Sequence, residues 1–296
     1  MTPQEGLAVL QLAVATAILG YASVLDLRTR RVSNASWIAL SVIGVAILPI
    51  RVVIDEAPVE FLLIMIPILA ILSDVFLDSD GDSALSRYSP LLKYGVAVVA
   101  TVALGMTWAD DEYFRHLLAI PIVMIVVVVL YMLDMIRGGA DAKALIALAV
   151  LFPVYPMIAG LPLIAGSEAL QTFFPFALAV LVNAAILVVF LPIVFLVMNL
   201  ARGDLKFPQI FVGYRMPIDV IADEHVWLME RIVNGSHVFY TRPKVEEDLK
   251  LELARLSERG VSRVWVTPKI PFIVPMLAGL ILTAVVGNFL FLFFSF

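Results

Sequence analysis

The chain alternates long apolar runs with short polar segments, a pattern typical of helices that cross a membrane. Each run has about the ~20 residues that a helix needs to span a bilayer. The pattern predicts eight spans, at residues 6–25, 35–54, 58–77, 90–108, 114–136, 141–158, 173–200 and 270–296. The first run lacks a preceding basic residue and a small-residue cleavage site, so we expect an uncleaved helix rather than a signal peptide.

One sizeable polar segment, residues 201–269, separates the last two runs. Three stretches in it have the apolar alternation of β-strands and one that of a charged amphipathic helix: residues 207–220, 236–241 and 261–267 for the strands, and 243–259 for the helix. We therefore expect a small α+β domain between a transmembrane helical domain, residues 1–200, and a final transmembrane helix, residues 270–296. Its core is small, so we expect it to pack on the membrane domain.

Composition supports a membrane protein and excludes several other classes. Of the 296 residues, 62% are hydrophobic, against about 45–50% in soluble domains. The net charge of −5 provides no basic stripe for a nucleic acid, so no nucleic-acid partner is expected. Cysteine is absent and the three histidines, His116, His225 and His237, lie far apart, so neither a metal site nor a cofactor is expected.

The basic residues predict the orientation, because lysine and arginine in short loops are retained on the cytoplasmic side. If the loop holding Arg28, Arg30 and Arg31 is cytoplasmic, only Arg51 and Arg115 of the 20 basic residues fall outside. The fold class is then an α-helical polytopic protein of the cell membrane, with about eight transmembrane helices and a small cytoplasmic α+β domain. Both termini lie outside, and membrane lipid surrounds the spans.

The most informative stretch is Arg-Gly-Gly-Ala-Asp-Ala-Lys, residues 137–143, which lies between two long apolar runs. Its carboxylate, Asp141, lies where the chain enters the membrane. Placing an ionisable group at that depth costs free energy, so such a residue is by default taken as part of a functional site. Asp26 ends the first span. With the span order above, both carboxylates lie at the same cytoplasmic depth.

Two carboxylates at one depth suit the chemistry of an aspartic protease. Like charges a few ångströms apart share a proton, so that one carboxylate takes a proton from water while the other polarises the scissile carbonyl. We expect Gly138 and Gly139 to permit unusual backbone dihedrals and close approach of a substrate strand. Asp141 lies at the predicted start of a helix, where the backbone N–H groups carry partial positive charge. This position favours the ionised form of the Asp141 carboxyl. Which aspartate holds the shared proton stays open.

The segment Gly138-Gly139-Ala140-Asp141-Ala142-Lys143, together with Asp26 and a basic turn ending in Ser33-Asn34, resembles the archaeal preflagellin and prepilin peptidases, the GxGD-type intramembrane aspartic proteases. Ala140 occupies the third position of the motif. Residues 211–217 and 260–271 also resemble the C-terminal half of this family. The eight predicted spans exceed the six associated with the family.

The resemblance implies an aspartic endopeptidase that cleaves class III signal peptides from archaellin or type IV pilin-like precursors. The cut would fall on the cytoplasmic face, after a short basic leader and before the hydrophobic helix. By the same resemblance Asp26 and Asp141 would be the catalytic pair. The cysteine-rich zinc segment of the bacterial relatives is absent, since the chain has no cysteine.

Other polar residues near the spans are candidates for accessory roles. Asp134 could tune the pair or could bind Arg137, and Asp74 could line a substrate groove or act as a cap or interfacial contact. Lys143 belongs to the same motif as Asp141. Asn183 predicts a hydrogen bond between helices. The run Asp78-Ser79-Asp80-Gly81-Asp82 lacks the glycine and glutamate of a calcium loop, so it is read as a solvated loop or as an attractor of a basic leader.

Two alternatives stay open. A transporter or channel would also place carboxylates inside a helix bundle, although usually near the midplane of broken helices or inverted repeats, and no repeat is evident here. A presenilin-like or signal-peptide-peptidase-like protease would share the chemistry. It should carry a tyrosine-aspartate pair deep in a span and a Pro-Ala-Leu motif, and this sequence has neither.

Overall fold

A computed structural model describes residues 1–77, 84–136, 138–233, 235–240 and 249–294. Three features singled out from the sequence lie outside the described residues: the aspartate run at 78–82, Arg137 and the first part of the predicted helix at 243–259. The described chain forms two compact units. The first comprises Met1–Ala185 and Pro271–Phe296, and the second comprises Ile186–Ile270.

Most of the described chain is helical. In chain order the helices are α1 (Pro3–Thr29), α2 (Asn34–Ile54), α3 (Met65–Phe76), α4 (Ala84–Trp108), α5 (Glu112–Met132), α6 (Gly139–Leu151), α7 (Glu168–Phe173), α8 (Phe176–Val189), α9 (Leu191–Arg202), α10 (Leu249–Glu258), α11 (Ile273–Val285) and α12 (Phe291–Phe294).

Within the described residues, six helical segments are long and apolar enough to cross a membrane. They are Pro3–Thr29, Asn34–Ile54, Val59–Phe76, Pro90–Trp108, Glu112–Met132 and Phe176–Arg202. These segments coincide with the first five predicted spans and the seventh. Large apolar side chains remain exposed on them, for example Val98, Val99 and Val102 of α4, as expected of surfaces that face lipid. The chain is therefore a polytopic membrane protein with a small additional domain.

The described residues contain six long apolar helices where the pattern predicted about eight, because two predicted spans form helices of only 13 residues, α6 and α11. At 1.5 Å per residue such a helix is roughly 20 Å long, short of the roughly 30 Å hydrocarbon core. Every side chain from Ala144 to Leu151 is buried, so α6 is apolar because protein surrounds it. Hydropathy alone does not distinguish a helix surrounded by protein from a helix surrounded by lipid.

The helix α6 is held at its C-terminal end by close backbone contact with α2. A Cβ atom added at Gly44 of α2 would lie 2.9 Å from the backbone nitrogen of Leu151 and 3.0 Å from its Cα. The missing side chain thus allows the two backbones to approach. From α1, the buried Gln11 donates a hydrogen bond of 2.5 Å to the carbonyl of Leu151, which would otherwise be an unpaired group of the last turn.

We predict that Gly44→Ala destabilises the protein by on the order of 1–3 kcal/mol, because the new methyl group meets backbone atoms that cannot rotate away. Thermal unfolding in detergent measures the effect. Gly20→Ala in α1 is the matched control, since nothing lies within 4 Å of a Cβ there. That control should be neutral or slightly stabilising, because alanine favours helix. Equal stability of the two variants would contradict the close α2–α6 contact.

Asn183 joins α8 to the C-terminal part of the first unit. It is fully buried, and its amide donates to Thr283 Oγ1 at 2.9 Å and to the Gly287 carbonyl at 2.8 Å. Its own carbonyl accepts from the Phe289 backbone N–H at 3.3 Å. The hydrogen-bonding role predicted for Asn183 is confirmed, and it ties the short helix α11 to the bundle.

The second unit contains the strands β1 (Tyr214–Pro217), β2 (Val226–Leu228), β3 (Glu230–Val233), β4 (Ser236–Phe239) and β5 (Arg263–Pro268). An antiparallel sheet has the order β1-β5-β2, and β3 pairs with β4 as a separate hairpin. Leu253 and Leu256 of α10 belong to the same buried cluster as Val264 and Val266 of β5. The predicted small α+β domain is confirmed.

The strand predicted over residues 207–220 is shorter than expected. Only Tyr214–Pro217 is in the sheet, and Gln209–Phe211 and Ile218–Asp223 are 3₁₀ turns. Pro208 precedes the first turn, and Pro217, which has no N–H to donate, ends the strand.

Candidate active site

Asp26 lies in the last turn of α1, which ends at Thr29. Its side chain is half-buried, and the positively charged Arg30 acts on it electrostatically. Arg30 caps the helix in a left-handed conformation with φ 56°, and its backbone N–H donates to the Asp26 carbonyl at 3.0 Å. The basic turn after Asp26 therefore contains a residue that ends the helix and acts electrostatically on its carboxylate.

Asp141 lies in the first turn of α6, with Gly138 at the N-cap. The Asp141 carboxylate folds back over Gly138, where an added Cβ atom would collide with it. Gly138 has φ −88° and ψ 113°, a conformation open to any residue, so the expectation of unusual dihedrals is wrong there. A glycine at this position instead provides room for the carboxylate.

Gly139 and Ala140 have less demanding surroundings. A Cβ atom added at Gly139 would lie 3.5 Å from the Tyr131 hydroxyl, which is ordinary van der Waals contact. Ala140 is partly buried against the core of the first unit. The sequence did not single out Tyr131 as a neighbour of the motif, and only the three-dimensional turn between α5 and α6 reveals it.

Burial is the larger influence on the Asp141 carboxylate, and the charge of Asp26 is the second. Among the hydrogen bonds of the described residues, none joins the two carboxylates directly. Asp26 near the C-terminal end of α1 thus influences Asp141 near the N-terminal end of α6 electrostatically. Protein buries most of α6 beyond Asp141, which lowers the local dielectric and strengthens their interaction.

Lys143 connects the motif to the start of α2. Its ammonium donates to Asn34 Oδ1 at 3.0 Å and lies 5.7 Å from the centroid of the Phe76 ring. Asn34 is the first residue of α2, and Ser33 caps that helix. The contact therefore fixes the N-terminal ends of α2 and α6 relative to each other. The sequence showed both residues within the two motifs, but not that they bind each other.

The other two accessory candidates have different surroundings. Asp134 is exposed, follows α5 and has φ 58°, and its suggested partner Arg137 is not among the described residues. Asp74 accepts hydrogen bonds from Lys93 Nζ and from the Tyr94 hydroxyl, both on α4. Asp74 consequently links α3 to α4, which fits the interfacial alternative for this residue.

Comparison with known proteins gives one family model that matches part of the chain. The model is that of the archaeal peptidase A24 C-terminus, type II, and it covers residues 205–289. The match includes the small domain of the second unit and continues through α11.

Three curated relatives share similarity over half of the chain. The preflagellin peptidase of Methanocaldococcus jannaschii is 29% identical over 158 residues, which is 51% of this chain and 63% of that protein. Those of Methanococcus maripaludis and Methanococcus voltae are 27% and 29% identical over 51% of this chain, and each alignment covers 64% of the relative. The chain thus spans somewhat under two-thirds of the length of these relatives. It is similar to archaeal preflagellin peptidases over half of its length, and its residues 205–289 match the C-terminal part of archaeal A24 peptidases.

Proposed function

We propose that the protein is a membrane-embedded aspartic endopeptidase in which Asp26 and Asp141 form the catalytic pair. The observation that carries the proposal is that the charge of Asp26 acts on the buried Asp141, although the two residues come from the ends of different helices. The room that Gly138 leaves for one of them and the similarity to preflagellin peptidases also support it.

The chemistry follows from two acids that share one proton. The ionised carboxylate takes a proton from a water molecule whose oxygen attacks the scissile carbonyl carbon, while the protonated carboxyl donates a hydrogen bond to the carbonyl oxygen. The tetrahedral intermediate then collapses as the C–N bond breaks, and the leaving amine takes the proton that the first carboxylate had accepted from water, which returns the pair to one shared proton. The shared proton belongs to the pair, so neither aspartate is assigned as the acid. No cofactor and no metal take part in these steps.

The proposed substrates are precursors of archaellins or type IV pilin-like proteins, each with a short basic leader before a hydrophobic helix. The relatives are named preflagellin peptidases, which supports preflagellin as the first substrate to try. The distribution of basic residues favours a cytoplasmic active site, a cytoplasmic domain at residues 201–269 and outer termini. Membrane lipid is the surrounding partner, and nucleic acid is not one.

A cleavage assay tests the proposal. Purified protein in lipid nanodiscs should cut a preflagellin once, between the basic leader and the hydrophobic helix, and mass spectrometry of the products locates the cut. Absence of any cut, together with ion or solute flux in proteoliposomes, would instead support the transporter or channel alternative. The comparisons do not favour that alternative, since the matched relatives are named as peptidases.

A further inference from the structure

The second unit contains a cavity whose described lining holds three positively charged and two negatively charged side chains. Its volume is about 630 Å³, and Lys206, Arg215, His237 and Arg263 all line it. The strands β1 and β5 provide the two arginines. Neither Asp26 nor Asp141 lines this cavity or belongs to this unit.

The two acids that line the cavity both lie next to basic groups, although Oδ2 of Asp204 has no hydrogen-bond partner among the described residues. Glu230 is 2% exposed; one of its oxygens accepts from the Trp265 backbone N–H and the other lies 2.6 Å from His237 Nε2. Asp204 is 7% exposed and lies 3.6 Å from Arg215 Nη1 and 3.8 Å from Arg263 Nη2. One buried carboxylate therefore faces two guanidinium groups, which leaves an excess of positive charge.

The two guanidinium groups have unused donors. Each carries five N–H groups. Arg215 donates to the Arg263 carbonyl at 2.9 Å, and Arg263 donates to the Arg215 carbonyl at 3.1 Å. Within the described residues, Nε of Arg215 is buried and has no hydrogen-bond partner. The reciprocal bonds join the two arginines across β1 and β5, and both side chains are partly exposed, at 37% and 44%. An oxyanion in the cavity would therefore accept from their Nη groups and not from the buried Nε.

We propose that this cavity binds a phosphate group, with Arg215 and Arg263 as the main donors. Paired arginines match the oxygen geometry of phosphate and form strong charge-assisted hydrogen bonds with it. Lys206 adds a third positive charge, and its ammonium lies 3.0 Å from the centroid of the Phe239 ring at the cavity wall. A free phosphate ion and the headgroup of an anionic phospholipid both present this chemistry.

Titration of the full chain in maltoside detergent, which contains no phosphate, tests the proposal. Inorganic phosphate should bind saturably with one site per chain, as measured by calorimetry. The variant Arg263→Gln should weaken binding at least tenfold, because it removes one of the two donor groups. Arg255→Gln is the matched control, since Arg255 is an exposed arginine of α10 that pairs with Glu252 outside the cavity. It should bind phosphate like the wild type.

A second arm distinguishes the two sources of phosphate. If the ligand is a lipid headgroup, native mass spectrometry should show that the protein retains one phosphatidylglycerol molecule and that inorganic phosphate displaces it. If the ligand is a free phosphate ion, the protein should retain no such lipid. Loss of Arg263 could disturb Asp204, so Lys206→Gln, which leaves both arginines paired with Asp204, should also weaken binding several-fold. Failure of the wild type to bind millimolar phosphate, or equal binding by Arg263→Gln and the wild type, would overturn the proposal.

Discussion

Replacement of either Asp26 or Asp141 by asparagine should lower the rate of preflagellin cleavage by at least about 10³-fold, because neither amide can take the proton of the attacking water. Asparagine keeps the size and planar shape of the side chain, so both variants should fold. The two losses should be similar, since each removes the same two-acid unit. The measurement is the initial rate of product formation by wild type and variants in nanodiscs of one lipid composition.

The matched control for this series is Asp110→Asn, which changes an exposed carboxylate between α4 and α5. It should cleave at the wild-type rate. A variant at Asp26 or Asp141 that retains cleavage while its unfolding temperature is unchanged would reject that residue as a catalytic acid or base.

Gly138→Ala should lower cleavage by roughly 10–100-fold, because the added methyl group would occupy the space of the Asp141 carboxylate and displace it. Displacement of about 1 Å from a reacting centre is enough for such a loss. The backbone of Gly138 has dihedrals that alanine adopts freely, so the effect should come from side-chain collision and not from strain. Steady-state kinetics should show a loss in kcat with little change in the temperature of unfolding.

Gly139→Ala provides the comparison within the same motif. Its added Cβ atom would make an ordinary contact with the Tyr131 hydroxyl, so this variant should retain most of the activity. Equal losses at both glycines would show that the motif needs backbone freedom, and the account of Gly138 as a space for the carboxylate would then be incorrect.

The sequence indicated both carboxylates because each interrupts or ends an apolar run, and the span order and basic residues predicted that they lie at one depth. Their placement at the end of α1 and the start of α6 agrees with the helix boundaries that the pattern predicted. The length of α6 was not predictable in this way. A helix surrounded by protein and a helix surrounded by lipid are equally apolar, and only the packing against α2 and α5 distinguishes them.

Contacts between distant residues account for what the sequence did not reveal. The role of Gly138 depends on the rotamer of Asp141, and the bond from Lys143 to Asn34 depends on how α2 and α6 pack. In the second unit, the strands β2 and β3 were not predicted. The sequence did contain a hairpin signal, the dipeptide Asn-Gly at residues 234–235, immediately before β4. Its glycine, Gly235, has a φ of 78°, as such turns require.

The proximity of the two carboxylates can be measured without reference to activity, because the chain contains no cysteine of its own. The double variant Asp26→Cys with Asp141→Cys introduces the only two thiols, and a short bifunctional thiol reagent should join them within one chain in intact membranes. A pair made from Asp26→Cys and Asp110→Cys should not be joined by the same reagent. If the first pair also stays unjoined although a monofunctional reagent modifies both thiols, the two side chains do not meet and the proposed catalytic pair is contradicted.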